Sequence, residues 1–238
     1  MIRGLLGSRN ATASAIKRLY HSTDHIISNF IIDSSKPESK ILSKAVEHIP
    51  KLGFSSQCIT EAIRDLKYPD SAHSLLTSSN NGRTSLELQL TIHFLKLQRV
   101  KLEKEVTNPD SEFHKIADEF DRVAFLIKKR LEFNTPYIKQ LPQALSQLAV
   151  PYNYSYSLDE LHNLSDDVAF YAGDTLNDFG WYAKRGGFSG IYVASELFQL
   201  QDNSKGYHLT KQFVDDKVKT WLNLGDAYNS VEEWSYFN

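Results

Sequence analysis

Between Asp174 and Arg185 the chain reads Asp-Thr-Leu-Asn-Asp-Phe-Gly-Trp-Tyr-Ala-Lys-Arg, which sets Asp174 and Asp178, Trp181 and Tyr182, and Lys184 and Arg185 within one short window. Paired carboxylates serve as general acids and bases or receive a partner's cations, and Trp, Tyr and Arg are the side chains that most often anchor protein interfaces. On a continuous helix Asp174, Asp178, Trp181 and Arg185 fall at i, i+4, i+7 and i+11. They then share one face, with Trp181 and Arg185 placed to stack. At about 100° per residue, Gly186, Gly190 and Ala194 come to the opposite side, which is almost bare of side chains. Such a face predicts close backbone contact with another helix, including that of a symmetry mate. The competing reading makes Trp181 and Tyr182 core aromatics and the charges a solvated surface.

Other chemistry has little support in the residues. Of the eight histidines, only His21 and His25 stand at i, i+4, in a segment that reads as unstructured, so a helical metal site is not expected. Gly187-Phe-Ser-Gly190 approaches a nucleophile elbow but lacks its spacing, and no strand precedes it. Neither a dinucleotide fingerprint nor a phosphate-cradling glycine loop occurs. No cofactor is expected. Asp166, Asp167, Asp174 and Asp178 are read as partner-binding rather than catalytic acids.

The elements that must position these residues are helical. Ile41, Leu42, Ala45, Val46 and Ile49 mark a first helical face, ended by Pro50 and Gly53, and Ile59, Ala62, Ile63 and Leu66 mark a second. A short third helix over residues 71–76 completes a module resembling a helix-turn-helix. Residues 69–82, where a groove-reading helix would lie, hold no lysine or arginine, so phosphate contacts are missing. Asn80-Asn81-Gly82 centres a polar loop. Residues 86–102 carry both a strand-like alternation and a helical stripe of Leu90, Phe94, Leu97 and Lys101; helix is preferred because no partner strand appears. Residues 112–132 predict one long amphipathic helix through Phe113, Ile116, Ala117, Phe120, Val123, Ala124, Ile127 and Leu131. A shorter helix punctuated by Pro136, Pro142 and Pro151, with Leu141, Leu145 and Leu148 among its apolar residues, and helices over residues 158–171 and 214–224 complete an all-α reading.

The first twenty residues hold Arg3, Arg9, Lys17 and Arg18, no acid, and scattered Ser, Thr and Ala, as a mitochondrial presequence does; Arg18-Leu-Tyr20 predicts cleavage after Tyr20. Its removal turns 27 cations against 29 acids into 23 against 29, a net charge of −6. An acidic domain argues against nucleic acid as partner. Cys58 is the single cysteine, which excludes an intrachain disulfide. No apolar run approaches the eighteen or so residues of a membrane span. The expected organisation is presequence 1–20, linker 21–38, helix-turn-helix-like subdomain 39–82, helical domain 83–225 and a C-terminal tail 226–238.

Leu164-Ser-Asp166-Asp167, Tyr171-Ala-Gly173-Asp174, the Asp178-Phe-Gly-Trp181-Tyr182-Ala-Lys184-Arg185 motif and Gln201-Asp202-Asn-Ser204, in that order, resemble a family of mitochondrial lipid-binding accessory proteins of ubiquinone biosynthesis, the ninth of the fungal coenzyme Q series. The likeness runs over roughly residues 39–225. It implies a helical bundle like that of TetR regulators with a degenerate helix-turn-helix, a homodimer, and an apolar cavity for an isoprenoid or phospholipid. It implies a non-enzymatic role beside the di-iron hydroxylase of the quinone ring and its multi-enzyme complex, peripheral to the matrix side of the inner membrane. Carried over by motif, Asp166, Asp167, Val168, Tyr171, Asp174, Asp178, Trp181, Tyr182 and Arg185 form the hydroxylase-docking patch. Phe188, Ile191, Tyr192 and Ser195, further along the Trp-bearing helix, are the expected lipid contacts. Family members carry a C-terminal amphipathic membrane helix, of which Val231, Trp234 and Phe237 would be the first turns. The rival function is a TetR-like DNA-binding regulator.

Overall fold

The computed structural model describes the backbone of residues 31–78, 84–174 and 179–237, and the side chains of those segments apart from 179–181 and 224–237. The expected presequence, His21 and His25, the Asn80-Asn81-Gly82 loop and Asp178 lie outside the described residues, as do the side chains of Trp181, Val231, Trp234 and Phe237.

Ten α-helices and no strand occur among the described residues. α1 (Pro37–Val46), α2 (Ile49–Leu52), α3 (Ser56–Asp65) and α4 (His73–Ser78) form the N-terminal module. Pro37 opens α1, where its missing N–H costs nothing. Gly53 closes α2 at φ +71°, a conformation that a Cβ would strain. Ile41, Ile49, Ile59 and Ile63 are fully or almost fully buried here, around Phe54 packed edge-to-face on Phe94 at 5.2 Å.

Phe94 belongs to α5 (Leu86–Thr107), which runs between two hydrophobic cores: Leu90 and Phe94 pack in the N-terminal one and Leu102 in the C-terminal one. Burial on several sides explains the mixed periodicity of this segment. The helix is fixed at its start by Ser85, whose Oγ accepts the Leu88 N–H at 3.1 Å.

The single long helix expected over residues 112–132 is corrected. A 3₁₀ turn (Glu112–Lys115) is followed by extended backbone at Ile116 and Asp118, and α6 runs only over Glu119–Glu132. Asp118 makes the break by accepting the N–H groups of Phe120 and Asp121 at 2.9 and 3.0 Å. Ala117, expected in the buried stripe, is exposed.

α7 (Leu141–Leu148), α8 (Tyr154–Ala172), α9 (Phe179–Gln199) and α10 (His208–Phe237) complete the chain. α6, α8, α9 and α10 enclose the second core through Val123, Leu126, Ala169, Phe188 and Val214. α10 is a single helix across residue 225, longer at both ends than the expected 214–224, and the expected tail from residue 226 continues it. Asp202, in the Gln-Asp-Asn-Ser motif, ties its start: its carboxylate accepts the N–H of Ser204 at 2.8 Å and of Thr210 at 2.9 Å, and the Thr210 hydroxyl at 2.7 Å. Burial pushes the Asp202 pKa up, and these bonds outweigh it, holding the carboxyl well below the usual range.

Candidate functional site

The motif residues meet at the corner between α8 and α9, though not on one helix. Gly173 ends α8 at φ +104°, and the Asp174 N–H closes back onto the Ala169 carbonyl at 3.0 Å, a left-handed helix stop. α9 begins at Phe179. Asp174 therefore does not share a helical face with Arg185; it reaches it across the corner. Asp174 Oδ2 lies 3.0 Å from Arg185 Nη1 and Asp174 Oδ1 lies 3.2 Å from Lys184 Nζ. Arg185 Nε also donates to Asp166 at 2.7 Å, and Lys184 to Glu119 of α6 at 2.9 Å. Arg185 is buried; the expected stacking of Trp181 on it lies outside the described residues.

The remaining patch residues divide by depth. Val168 is core, packed among the apolar side chains of the second cluster, and adds no surface area. Asp167 is buried against Arg99 of α5, whose Nε donates to it at 2.7 Å. Tyr171 is half-buried beside Phe170. Tyr182 projects into solvent, 70% exposed. The corner thus presents Tyr182 on a base of buried ion pairs rather than an open row of acids.

A second feature lies along α9. α5 to α9 surround a cavity of about 360 Å³ walled by Leu95, Leu145, Leu148, Leu161 and Leu164 among others. Its mouth is rimmed by exposed apolar side chains: Tyr154 and Leu158 of α8, Val193 and Leu197 of α9. Two buried polar systems stand in its wall. Arg99 bridges Asp167 and Glu160, the latter at 3.1 Å. Arg130 donates to Asn134 Oδ1 at 2.7 Å, Asn134 Nδ2 to Glu196 Oε1 at 2.8 Å, and the Tyr192 hydroxyl to the same Glu196 oxygen at 2.6 Å. Burial raises the pKa of both Glu160 and Tyr192, in Glu160 against the opposing pull of Arg99.

Of the four expected lipid contacts, Tyr192 alone lines this cavity. Phe188 lines, with Tyr192, only a void of about 10 Å³ beneath it. Ile191 packs in the second core, and Ser195 is fully buried away from the cavity wall. The aliphatic wall from α7 and α8 was not read from the sequence. Leu145 and Leu148 are apolar residues of one helix, and apolar residues facing a cavity have the same spacing as those facing a core.

The small-residue face, with its Gly186 and Gly190, behaves differently from the adjacent Gly187 of α9. A Cβ at Gly186 or Gly190 would meet no described atom within 4 Å, so none of the described helices packs on them. Gly187 is the close-packed one: a Cβ there would fall 2.5 Å from the Trp221 indole of α10. Ala194 is half-buried.

No group of three or more His, Cys, Asp or Glu side chains suited to a metal occurs among the described residues, and no described helix is long and apolar enough to cross a membrane. α4, in the place of a groove-reading helix, carries His73 and no lysine or arginine.

An all-helical protein with an apolar cavity behind a charged helix corner is the class that these features define. A family model described as COQ9 matches residues 154–225, which span that corner. The chain is 32% identical over 245 residues to the mitochondrial ubiquinone biosynthesis protein COQ9 of Saccharomyces cerevisiae, covering 96% of this chain and 93% of that protein. It is 32% identical over 230 residues to its counterpart in Schizosaccharomyces pombe, covering 97% and 86%, and 30% identical over 201 residues to that of Rattus norvegicus, covering 82% and 62%. The chain belongs to the COQ9 family of mitochondrial ubiquinone biosynthesis proteins.

Proposed function

We propose that this chain serves ubiquinone biosynthesis as a non-enzymatic lipid carrier: it binds an isoprenoid quinone intermediate in the cavity between α5 and α9 and presents it to the di-iron demethoxyubiquinone hydroxylase. The observation that carries this reading is an aliphatic cavity whose mouth is ringed by exposed Leu158, Leu197, Val193 and Tyr154. Exposing that much apolar area beside a cavity has no benefit in a protein that stays in water alone. A bilayer surface or a lipid chain covers it. The ligand is an isoprenoid or phospholipid, and no other cofactor is invoked.

The hydroxylase and its multi-enzyme complex dock, on this proposal, at the α8–α9 corner. Tyr182 is the exposed anchor there, and the Asp174–Arg185 and Asp174–Lys184 pairs hold its helix start in place. The open face of Gly186 and Gly190 is the contact with a second copy in a homodimer. Attachment is peripheral, on the matrix side of the inner membrane. DNA binding, the rival function, draws no support from an α4 without lysine or arginine.

Purification without detergent, followed by organic extraction and mass spectrometry, tests the reading. An isoprenoid or phospholipid at about one molecule per chain is expected; protein that extracts lipid-free from membranes containing these lipids would contradict it.

A further inference from the structure

Two guanidinium groups, those of Arg99 and Arg130, stand in the aliphatic wall of the cavity, and the protein uses them differently. Arg99 is closed off by two carboxylates: its Nε donates to Asp167 at 2.7 Å and its Nη1 to Glu160 at 3.1 Å. Arg130 is 1% exposed. Among the described residues its one hydrogen bond runs from Nη1 to the neutral Oδ1 of Asn134 at 2.7 Å, its Nε has no partner, and no carboxylate forms an ion pair with it.

A guanidinium carries five N–H donors, so most of the hydrogen-bonding capacity of Arg130 is unused. The Tyr192 ring, 5.3 Å from its central carbon, offsets part of the lost hydration but accepts no conventional hydrogen bond. The nearest carboxylates are engaged elsewhere: Glu160 accepts from Arg99, and Glu196 accepts from Asn134 Nδ2 and from the Tyr192 hydroxyl. A buried cationic donor without an acceptor is costly, and the cavity that Arg130 lines is where an acceptor can be brought to it.

We infer that the cavity takes its lipid with the head inward, and that the head brings a neutral oxygen acceptor, such as a ring carbonyl, to the Arg130 guanidinium while the chain leaves past the exposed Leu158 and Leu197. This rests on the lipid-binding reading above. Charge selects the kind of acceptor. Asp167, Glu160 and Glu196 already set three carboxylates against the guanidiniums of Arg99 and Arg130, so a phosphate would add an anion to a buried site that is short of cations. The volume agrees: about 360 Å³ is at the low end for ligand pockets and holds a ring-sized head with the first chain carbons, not a whole polyisoprenoid. A quinone, whose oxygens only accept, meets the requirement.

Displacement of a fluorescent lipid from the purified full-length chain tests this with three probes of equal prenyl chain length: a benzoquinone, the corresponding benzene without oxygens, and a phosphate monoester. The expected result is that the quinone displaces the lipid about tenfold more strongly than the oxygen-free ring, and more strongly than the phosphate. In Arg130→Met, which keeps an unbranched side chain and removes the donors, the ratio of quinone to oxygen-free ring falls to about one. Because the ratio is read within each protein, a general loss of affinity does not imitate the effect. Wild-type protein gives a second readout that needs no variant: in isotope-labelled protein the Arg130 Nε proton resonance moves to lower field with the quinone and not with the oxygen-free ring. A phosphate that outcompetes the quinone, by a margin that Arg130→Met erases, keeps the acceptor at Arg130 and overturns its neutrality. Equal displacement by quinone and oxygen-free ring, a preference that survives in Arg130→Met, or a resonance that the quinone leaves in place overturns the inference while leaving lipid binding intact. Failure of every probe, the oxygen-free one included, overturns both.

Discussion

Arg185 Nη1 stands 3.0 Å from Asp174 Oδ2 with the Asp174 side chain only 1% and the Arg185 side chain 6% exposed, so the α8–α9 corner is closed by a buried ion pair between residues eleven apart. Two further carboxylates, Asp166 and Glu119, extend it to α8 and α6. Charge buried in this way stabilises little by itself, but losing one partner leaves the other uncompensated.

Arg185→Met is therefore expected to destabilise the fold by about 3 kcal/mol or more, whereas Tyr182→Ala changes stability by less than about 0.5 kcal/mol. Urea unfolding followed by circular dichroism gives both numbers. Equal, small effects would mean that the corner is solvated.

Tyr182→Ala separates docking from folding. With a hydroxylase partner in a pull-down or calorimetric titration, it should weaken association by about 2 kcal/mol at an unchanged melting temperature, as loss of an aromatic anchor does. Undiminished binding would remove Tyr182 from the docking patch.

The glycines of α9 give a contrast within one helix. Gly187→Ala should cost about 1–3 kcal/mol, because its Cβ meets the Trp221 indole. Gly190→Ala has room, and the higher helix propensity of alanine is worth up to about 1 kcal/mol within the chain. Gly190→Leu should instead weaken the proposed dimer. Sedimentation and thermal melting read these outcomes; a dimer that keeps its mass and melting temperature with leucine at position 190 puts the subunit contact elsewhere.

His93 supplies a pH dependence. It is buried, with Ser43 Oγ 2.8 Å from its Nε2, and burial, with a smaller contribution from Lys96, lowers its pKa from 6.5 to about 4. Between those values the unfolded chain binds the proton and the folded one does not, so stability falls as pH drops below about 6.5. The loss attributable to this group by pH 5 is about 2 kcal/mol. The pH dependence of urea unfolding should flatten by that amount in His93→Gln; an unchanged slope would place the sensitivity in other groups.

How far the sequence carried is visible at particular residues. Helix identity followed from local periodicity, and even α5, whose apolar residues also alternate, resolves as a helix once Ser85 is seen as its cap. Two of the departures came from stops overridden by spacing. Phe113, Ile116 and Phe120 keep helical rhythm across a break that Asp118 enforces, and Asp174 keeps helical register with Arg185 although it stands after the left-handed turn at Gly173 and before α9. Both stops have ordinary sequence signals, an N-cap aspartate and a C-cap glycine. The cavity was not legible, since its wall joins Leu95, Leu145, Leu161 and Leu197 from four helices, and each of these has the spacing of a core residue. The motif at residues 174–185 did locate the corner, but sequence could not tell a buried carboxylate such as Asp174 from an exposed one.

The central claim, that the cavity under α5 to α9 holds a lipid, is tested most directly by filling it. Leu161 lines its wall. Lipid recovered by extraction and mass spectrometry from purified Leu161→Trp protein should drop about tenfold or more relative to wild type, with far-ultraviolet circular dichroism unchanged, because the indole occupies the space that the ligand needs. Wild-type amounts of the same lipid on a folded Leu161→Trp protein would contradict the account and put the lipid somewhere other than this cavity.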